Sequence, residues 1–302
     1  MAGRRRQLLR DLAIPALAAL LSFTAMPAAQ ALVPYVYIPR SQELEGAGLG
    51  IAQAANRLLR LGQAEDAARL AELTVRLLPQ DPRGWLLLAE AELRSNHNSK
   101  ALVALTRAKE LDPRNPGIWF AEGSLALRRG QPQEALGLLQ QGLKLDGKNS
   151  GAYFDLGNAY LLLHRPGDAL SAFERASGLR GDFWEAINNQ GLVLFEQGQR
   201  GAAISRWRRV LSIKADVAET SLALAAGLFV SESGKRAEAV RLAEKALAKD
   251  PNYVLDSHQK EQLWGVKMRA AARQLLAQPE LKTAVERAQA NATPGAEAED
   301  DG

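Results

Sequence analysis

Three histidines, His97, His164 and His258, are the side chains best suited to metal ligation or to proton transfer near neutral pH. No two of them lie three or four positions apart, the spacing that places two ligands on one helix face. Cysteine is absent, which excludes thiolate nucleophiles, disulfides, iron–sulfur clusters and zinc fingers together. Gly142-x4-Gly147-Lys148 is one residue short of a phosphate loop, because Asn149 stands where a Ser or Thr hydroxyl would reach magnesium. Gly46-Ala47-Gly48-Leu49-Gly50 lacks the spacing of a dinucleotide fingerprint and reads as a linker entering a helix. No Ser-His-Asp set or carboxylate pair emerges from the spacing. The chain therefore reads as non-enzymatic, with no catalytic, metal-binding or cofactor-binding residues and no cofactor.

The elements that carry these residues are set by a repeat. Trp85 and Trp119 are 34 residues apart, as are Gly123, Gly157 and Gly191 in succession. A unit starting at Gly48, Pro82, Pro116, Ser150, Trp184 and Thr220 aligns six copies, the last step being 36, with two extra residues near Asp216-Val217. Its eighth position is Ala55, Ala89, Gly123, Gly157, Gly191 and Gly227. Its twentieth is Ala67, Ala101, Ala135, Ala169, Ala203 and Ala239. Alanine supplies 53 of 302 residues, yet six in one column by chance has a probability on the order of 10⁻⁵. The fifteenth position, Gly62, Asn96, Gly130, His164, Gly198 and Gly234, holds residues that tolerate a left-handed backbone and ends a first helix. Pro79, Pro113, Gly147, Gly181, Ala215 and Pro251 close the unit. Each unit is thus a hairpin of two helices of about 13 residues, crossing where only small side chains fit. Apolar residues at 47%, charged at 24% and aromatics at only 6% agree with small-residue helix packing.

The fourth copy, Tyr153-Phe154-Asp155-Leu156-Gly157-Asn158-Ala159-Tyr160 with Ala169, Phe173 and Ala176, carries the pattern of the tetratricopeptide repeat (TPR) family, which residues 48–253 resemble. The terminal copies depart from it, with Ile51 and Ala71 in the first and Ala223 and Ala243 in the sixth. The resemblance implies an all-α, right-handed solenoid of stacked hairpins, with repeats near 48–81, 82–115, 116–149, 150–183, 184–219 and 220–253. The spacing after Pro251 predicts one amphipathic helix over 256–277, covering the end of the last repeat as solenoids require, and a short helix over 280–290; residues 254–290 form the cap.

The family places the first helix of each repeat along a concave groove, which implies a partner site at the fifth, ninth and twelfth positions. The candidates are Leu86, Glu90, Phe120, Ser124, Phe154, Asn158, Asn188 and Leu192, with Leu93, Leu127, Leu161 and Phe195 beside them. The Lys/Asn/Arg clamp of chaperone-binding relatives is absent, which disfavours a terminal-carboxylate ligand. The remaining apolar stripe with amides suits a polypeptide segment with apolar anchors, unless neighbouring repeats or the arm Leu32–Pro39 cover it. Arg206, Arg208 and Arg209, with Lys214, form a basic cluster on a second helix, either a solvated face or a contact for anionic lipid.

Arg4, Arg5, Arg6 and Arg10, then apolar Leu12 to Phe23, then Ala29-Gln30-Ala31, read as a signal peptide over 1–31, with a twin-arginine variant or an uncleaved membrane anchor as alternatives. Residues 32–47 read as an extended arm and 291–302 as a disordered acidic tail. The net charge of +4 belongs largely to the leader, since the remainder carries 34 bases against 33 acids, and nucleic acid is disfavoured as a partner. The expectation is a scaffold or assembly factor exported to a periplasm or thylakoid lumen, or anchored with its repeats on that side. Phe183 to Phe195 and the leader-plus-repeat layout resemble cyanobacterial TPR proteins of photosynthetic-membrane biogenesis. The alternative is a peripheral protein of a membrane surface.

Overall fold

A computed structural model describes residues 41–231 and 233–293. The signal or anchor reading of 1–31, the arm over 32–40 and the acidic tail beyond 293 lie outside the described residues. The chain divides into two compact units, 1–43 and 44–302; of the first, only residues 41–43 are described, and they are helical.

The described residues hold helices and no strand. First helices of the hairpins are α1 (Ser41–Arg60), α3 (Pro82–Arg94), α5 (Pro116–Arg128), α7 (Ser150–Leu162), α9 (Trp184–Glu196) and α11 (Ala218–Ser231). Second helices are α2 (Ala64–Leu77), α4 (Asn98–Leu111), α6 (Pro132–Leu145), α8 (Pro166–Leu179), α10 (Arg200–Ile213) and α12 (Arg236–Lys249). Local chemistry sets these limits. The side chains of Asp81, Asn115 and Asn149 accept the N–H of Arg83, Gly117 and Ala152, and Pro82, Pro116, Pro132 and Pro166 sit in first turns where no N–H is needed. Each of the first five turns has a left-handed residue: Gly62, Asn96, Gly130, His164 or Gly198, with φ between 57° and 83°. The residue after it bonds back five positions, as Gln63 N–H does to Leu58 O and Arg165 N–H to Tyr160 O. The sixth turn differs: Gly234 lies in a 3₁₀ turn, Ser233–Lys235, and not in the left-handed region.

The small-residue columns mark the helix crossings. All six alanines of the twentieth column are fully buried. A Cβ on Gly123 would fall 2.7 Å from Leu139, and one on Gly157 2.5 Å from Phe173. Gly142, the first glycine of the phosphate-loop-like run, is held by the same logic, since a Cβ there would lie 2.5 Å from the Phe120 ring.

Three expectations are corrected. Residues 41–47 are helical and lengthen α1; Gly48, assigned to a linker, packs against Leu78. The helix expected over 256–277 is broken into α13 (Asp256–Glu261) and α14 (Val266–Leu276), because Leu263 turns left-handed with φ 61° and lets Trp264 bury. The end of the last repeat is covered instead by the 3₁₀ turn Pro251–Val254 and α15 (Lys282–Asn291), which pack on α12.

Candidate functional site

Successive first helices pack on one another, α3 on α5, α5 on α7 and α9 on α11, while no comparable packing joins successive second helices. The first helices therefore form the inside of the curve. The side chains expected to face that side are not free of each other. Ser124 donates to the Asp155 carboxylate on α7, and Asp155 is pushed up to about 6, mainly by burial, with the Ser124 hydroxyl and the Arg128 charge opposing. Asn189 donates to Asn158 Oδ1 at 3.3 Å and accepts from Asn188 Nδ2 at 3.3 Å; Asn188 Oδ1 accepts from Thr220 at 2.8 Å. A ladder of hydrogen bonds thus runs across α7, α9 and α11. It ends at Glu219, which accepts from Trp264 Nε1 at 3.1 Å and is pushed up to about 7 by burial, against the hydrogen bonds from Trp264 and Asn188. Burial and the nearby Glu219 and Asp250 charges raise the Tyr253 phenol in turn.

The candidates divide into two sets. Phe120, Asn188 and Leu192 are buried, so the expectation of an exposed stripe fails at these three positions. Phe120 fills the space over Gly142, and Leu192 joins the core that includes Met268 and Leu275 of α14. Leu93 and Phe195 are buried as well. Leu86, Glu90, Ser124, Phe154 and Asn158 stay half-buried. Leu86 lies under Gly117, Glu90 pairs with Arg94 at 2.7 Å, and Phe154 stacks against Phe173 and Phe183 with centroids 5.7 and 5.2 Å apart. With Leu127, Leu161 and Leu162 they form the accessible inner face of repeats two to four.

In repeats five and six the inner face is covered. α14 packs on α9 and α11. Its residues Met268, Ala272 and Leu275 are fully buried. Glu196, at the end of α9, accepts the backbone N–H of Met268 at 2.7 Å and of Lys267 at 3.2 Å, capping the new helix from outside. The sequence reading missed Glu196, Trp264 and Met268. A signal existed: the first three copies carry Arg60, Arg94 and Arg128 at the end of the first helix, where a cation suits the dipole, and the fifth carries an acid.

The second-helix arginines are occupied by the fold. Arg206 donates to Gln190 Oε1 at 2.9 Å, Arg209 to Gly181 O at 3.0 Å, and Arg208 lies 3.8 Å from Glu238. Lys214 sits 4.3 Å over the Trp184 ring. His97 bonds Glu92 at 2.7 Å, and His258 meets the Tyr253 ring edge-on. Among the described residues no three His, Asp or Glu side chains form a metal-binding group, and no helix is long and apolar enough to cross a membrane.

The tetratricopeptide repeat family model matches residues 53–116 and 120–182. No curated protein matches the chain. Solved structures do. A thermophilic TPR protein of Thermus thermophilus is 20% identical over 60% of this chain and 99% of its own, with TM-score 0.53. PilF of Pseudomonas aeruginosa is 15% identical over 76% of this chain and 99% of its own, with TM-score 0.56. The Cut9–Hcn1 hetero-tetramer of the APC/C is 17% identical over 78% of this chain, with TM-score 0.64, although only 45% of that longer chain is matched.

Proposed function

Because the chain is a tetratricopeptide repeat protein, we propose that it is a non-catalytic scaffold that holds a partner polypeptide against the inner face of repeats two to four. Proteins of this fold mediate protein–protein association and assembly in general. One observation carries the reading for this chain: in repeats five and six the row of first-helix residues is occupied by a helix, α14, while among the described residues no such helix lies over α3, α5 and α7, where Leu86, Glu90, Ser124, Phe154 and Asn158 stay half-buried. A partner segment that seats there meets Leu86, Phe154, Leu161 and Leu162 as apolar contacts, with Ser124 and Asn158 as polar ones. Its identity is open to experiment; a terminal carboxylate is disfavoured by the missing clamp. Export through the leader and service in photosynthetic-membrane or envelope biogenesis complete the proposal.

The test compares crosslinked capture from native cells by the full chain and by an Asn158→Arg, Leu162→Glu variant. These two side chains reach solvent, whereas Phe120 substitutions would damage the core. Loss of one specific prey from a still-folded variant supports the groove. Equal capture by both overturns it. The membrane-surface alternative rests on an uncleaved leader, which lies outside the described residues, or on arginines that already bond protein acceptors; salt-sensitive binding to anionic vesicles, lost in an Arg208→Ser, Arg209→Ser variant, would revive the second form.

A further inference from the structure

The helix over repeats five and six is placed where a partner would be. α14 touches the two first helices α9 and α11, and no second helix packs on it comparably. It presents Met268, Ala271, Ala272 and Leu275 inward, while Val266 is 73% exposed, Gln274 faces water, Lys267 donates to Glu196 O, and Arg269 and Arg273 pair with Asp256. It spans only 11 residues, a length at which an isolated helix is marginal in water, so its helicity depends on the groove. It hangs between two turns. On one side Leu263 holds a left-handed conformation that a branched side chain adopts at a cost. On the other, Gln278 leads into the 3₁₀ turn Pro279–Leu281. Its first N–H groups, which no helix can satisfy internally, are met by Glu196, a residue of the groove. These are the features of a ligand bound in a groove.

We infer that α14 is a resident, exchangeable ligand of repeats five and six, and that this part of the groove accepts a partner helix with the same pattern. That pattern is apolar at the positions of Met268 and Leu275, small at those of Ala271 and Ala272, with first-turn N–H groups facing Glu196. The inference rests on the reading of the inner face as the partner site and specifies the partner class. A partner helix entering there displaces α14, so access to the C-terminal half of the groove is governed by the chain itself.

The chain has no cysteine, so a single engineered pair gives a clean lock. Glu196 Cγ lies 2.5 Å from where a Cβ on Gly265 would be, within reach of a disulfide in a Glu196→Cys, Gly265→Cys variant. The probe is a fluorescein-labelled peptide of residues 262–278, read by anisotropy against four full-length chains: wild type, the oxidised lock, the same double-cysteine chain reduced, which equally lacks the Glu196 carboxylate, and Ala270→Pro, which breaks the resident helix in place. The expected order of affinity is Ala270→Pro above wild type, and the reduced double-cysteine chain above its oxidised lock, with at least tenfold between Ala270→Pro and the lock. A peptide with Met268→Arg and Leu275→Arg should not bind. Equal binding to locked and opened chains overturns the inference, as does no binding to a folded Ala270→Pro chain. If Ala270→Pro does not fold, hydrogen exchange of the wild type decides. Amides of α14 opening ahead of those of α9 and α11 support exchange; all three opening in one step makes α14 a fixed part of the fold. The functional reading fails separately, through prey capture indifferent to Asn158→Arg and Leu162→Glu.

Discussion

A carboxylate that must shed its water to take its place stores that cost as a pH dependence. Asp155 and Glu219 are both raised, to about 6 and about 7, by burial. Their unfolded values lie lower, so between about pH 4 and pH 7 the folded chain binds more protons than the unfolded one, and its stability falls as pH rises through that window. Each site is worth on the order of 2–3 kcal/mol. The urea midpoint should therefore be higher at pH 5 than at pH 7.5. Glu219→Gln, which still accepts from Trp264, should remove about half of that difference; an unchanged difference would show that Glu219 is not the source. The glycines make an opposed pair. A Cβ on Gly191 would strike the Trp207 indole, while one on Gly137 meets open space inside α6. Gly191→Ala should destabilise by about 1–3 kcal/mol, and Gly137→Ala should stabilise by about 0.5–1 kcal/mol, both read from denaturant midpoints at constant slope. Gly191 stands in the eighth repeat column and Gly137 in none of the small-residue columns, and the neighbour across the crossing is the physical reason for the difference.

At the scale of the element, the first five turns share one mechanism and the sixth does not. The left-handed residue and the back-bond that follows it let a first helix stop within three residues of its partner's start. Gly198→Val should therefore cost about 1–2 kcal/mol and loosen the α9–α10 hairpin, whereas Gly234→Ala should cost less than about 1 kcal/mol, because Gly234 does not use the left-handed region. Thermal unfolding of the two variants side by side checks this. Hairpin positions were legible in the sequence because the turn column needs Gly, Asn or His. The break at Leu263 was not, because Gly265 is a weak signal on its own and the leucine, glutamine and lysine beside it all favour helix. The chain breaks there so that Trp264 can bury and reach Glu219, contacts made across 45 residues.

For the molecule as a whole, each hairpin answers to its neighbours. The apolar core is not uniform along the array. Its largest continuous cluster joins repeats five and six to α14 and α15, including Trp207, Leu222, Met268 and Leu275, while smaller clusters serve the earlier repeats. In a chain whose stability sums over adjacent units, the better-joined end opens last. Native-state hydrogen exchange should show α2, α3 and α4 opening at lower free energy than α9, α11 and α12. A single common opening energy would instead mean that the array unfolds as one unit.

The repeat, its two helices and the small-residue columns follow from the sequence alone. Each depends on steric demands that recur every 34 residues, and six copies of one demand are visible without coordinates. The accessible part of the inner face was legible only in outline. Leu86, Glu90, Ser124, Phe154 and Asn158 are half-buried there, but Phe120, Asn188 and Leu192 share their columns and are buried. What separates the two sets is what packs on each residue. Gly142 makes room for Phe120, Thr220 bonds Asn188, and Leu192 joins the core that α14 completes. Only the tertiary structure could bring the C-terminal helix onto α9 and α11, because its capping carboxylate lies 71 residues away on another element and obeys no period.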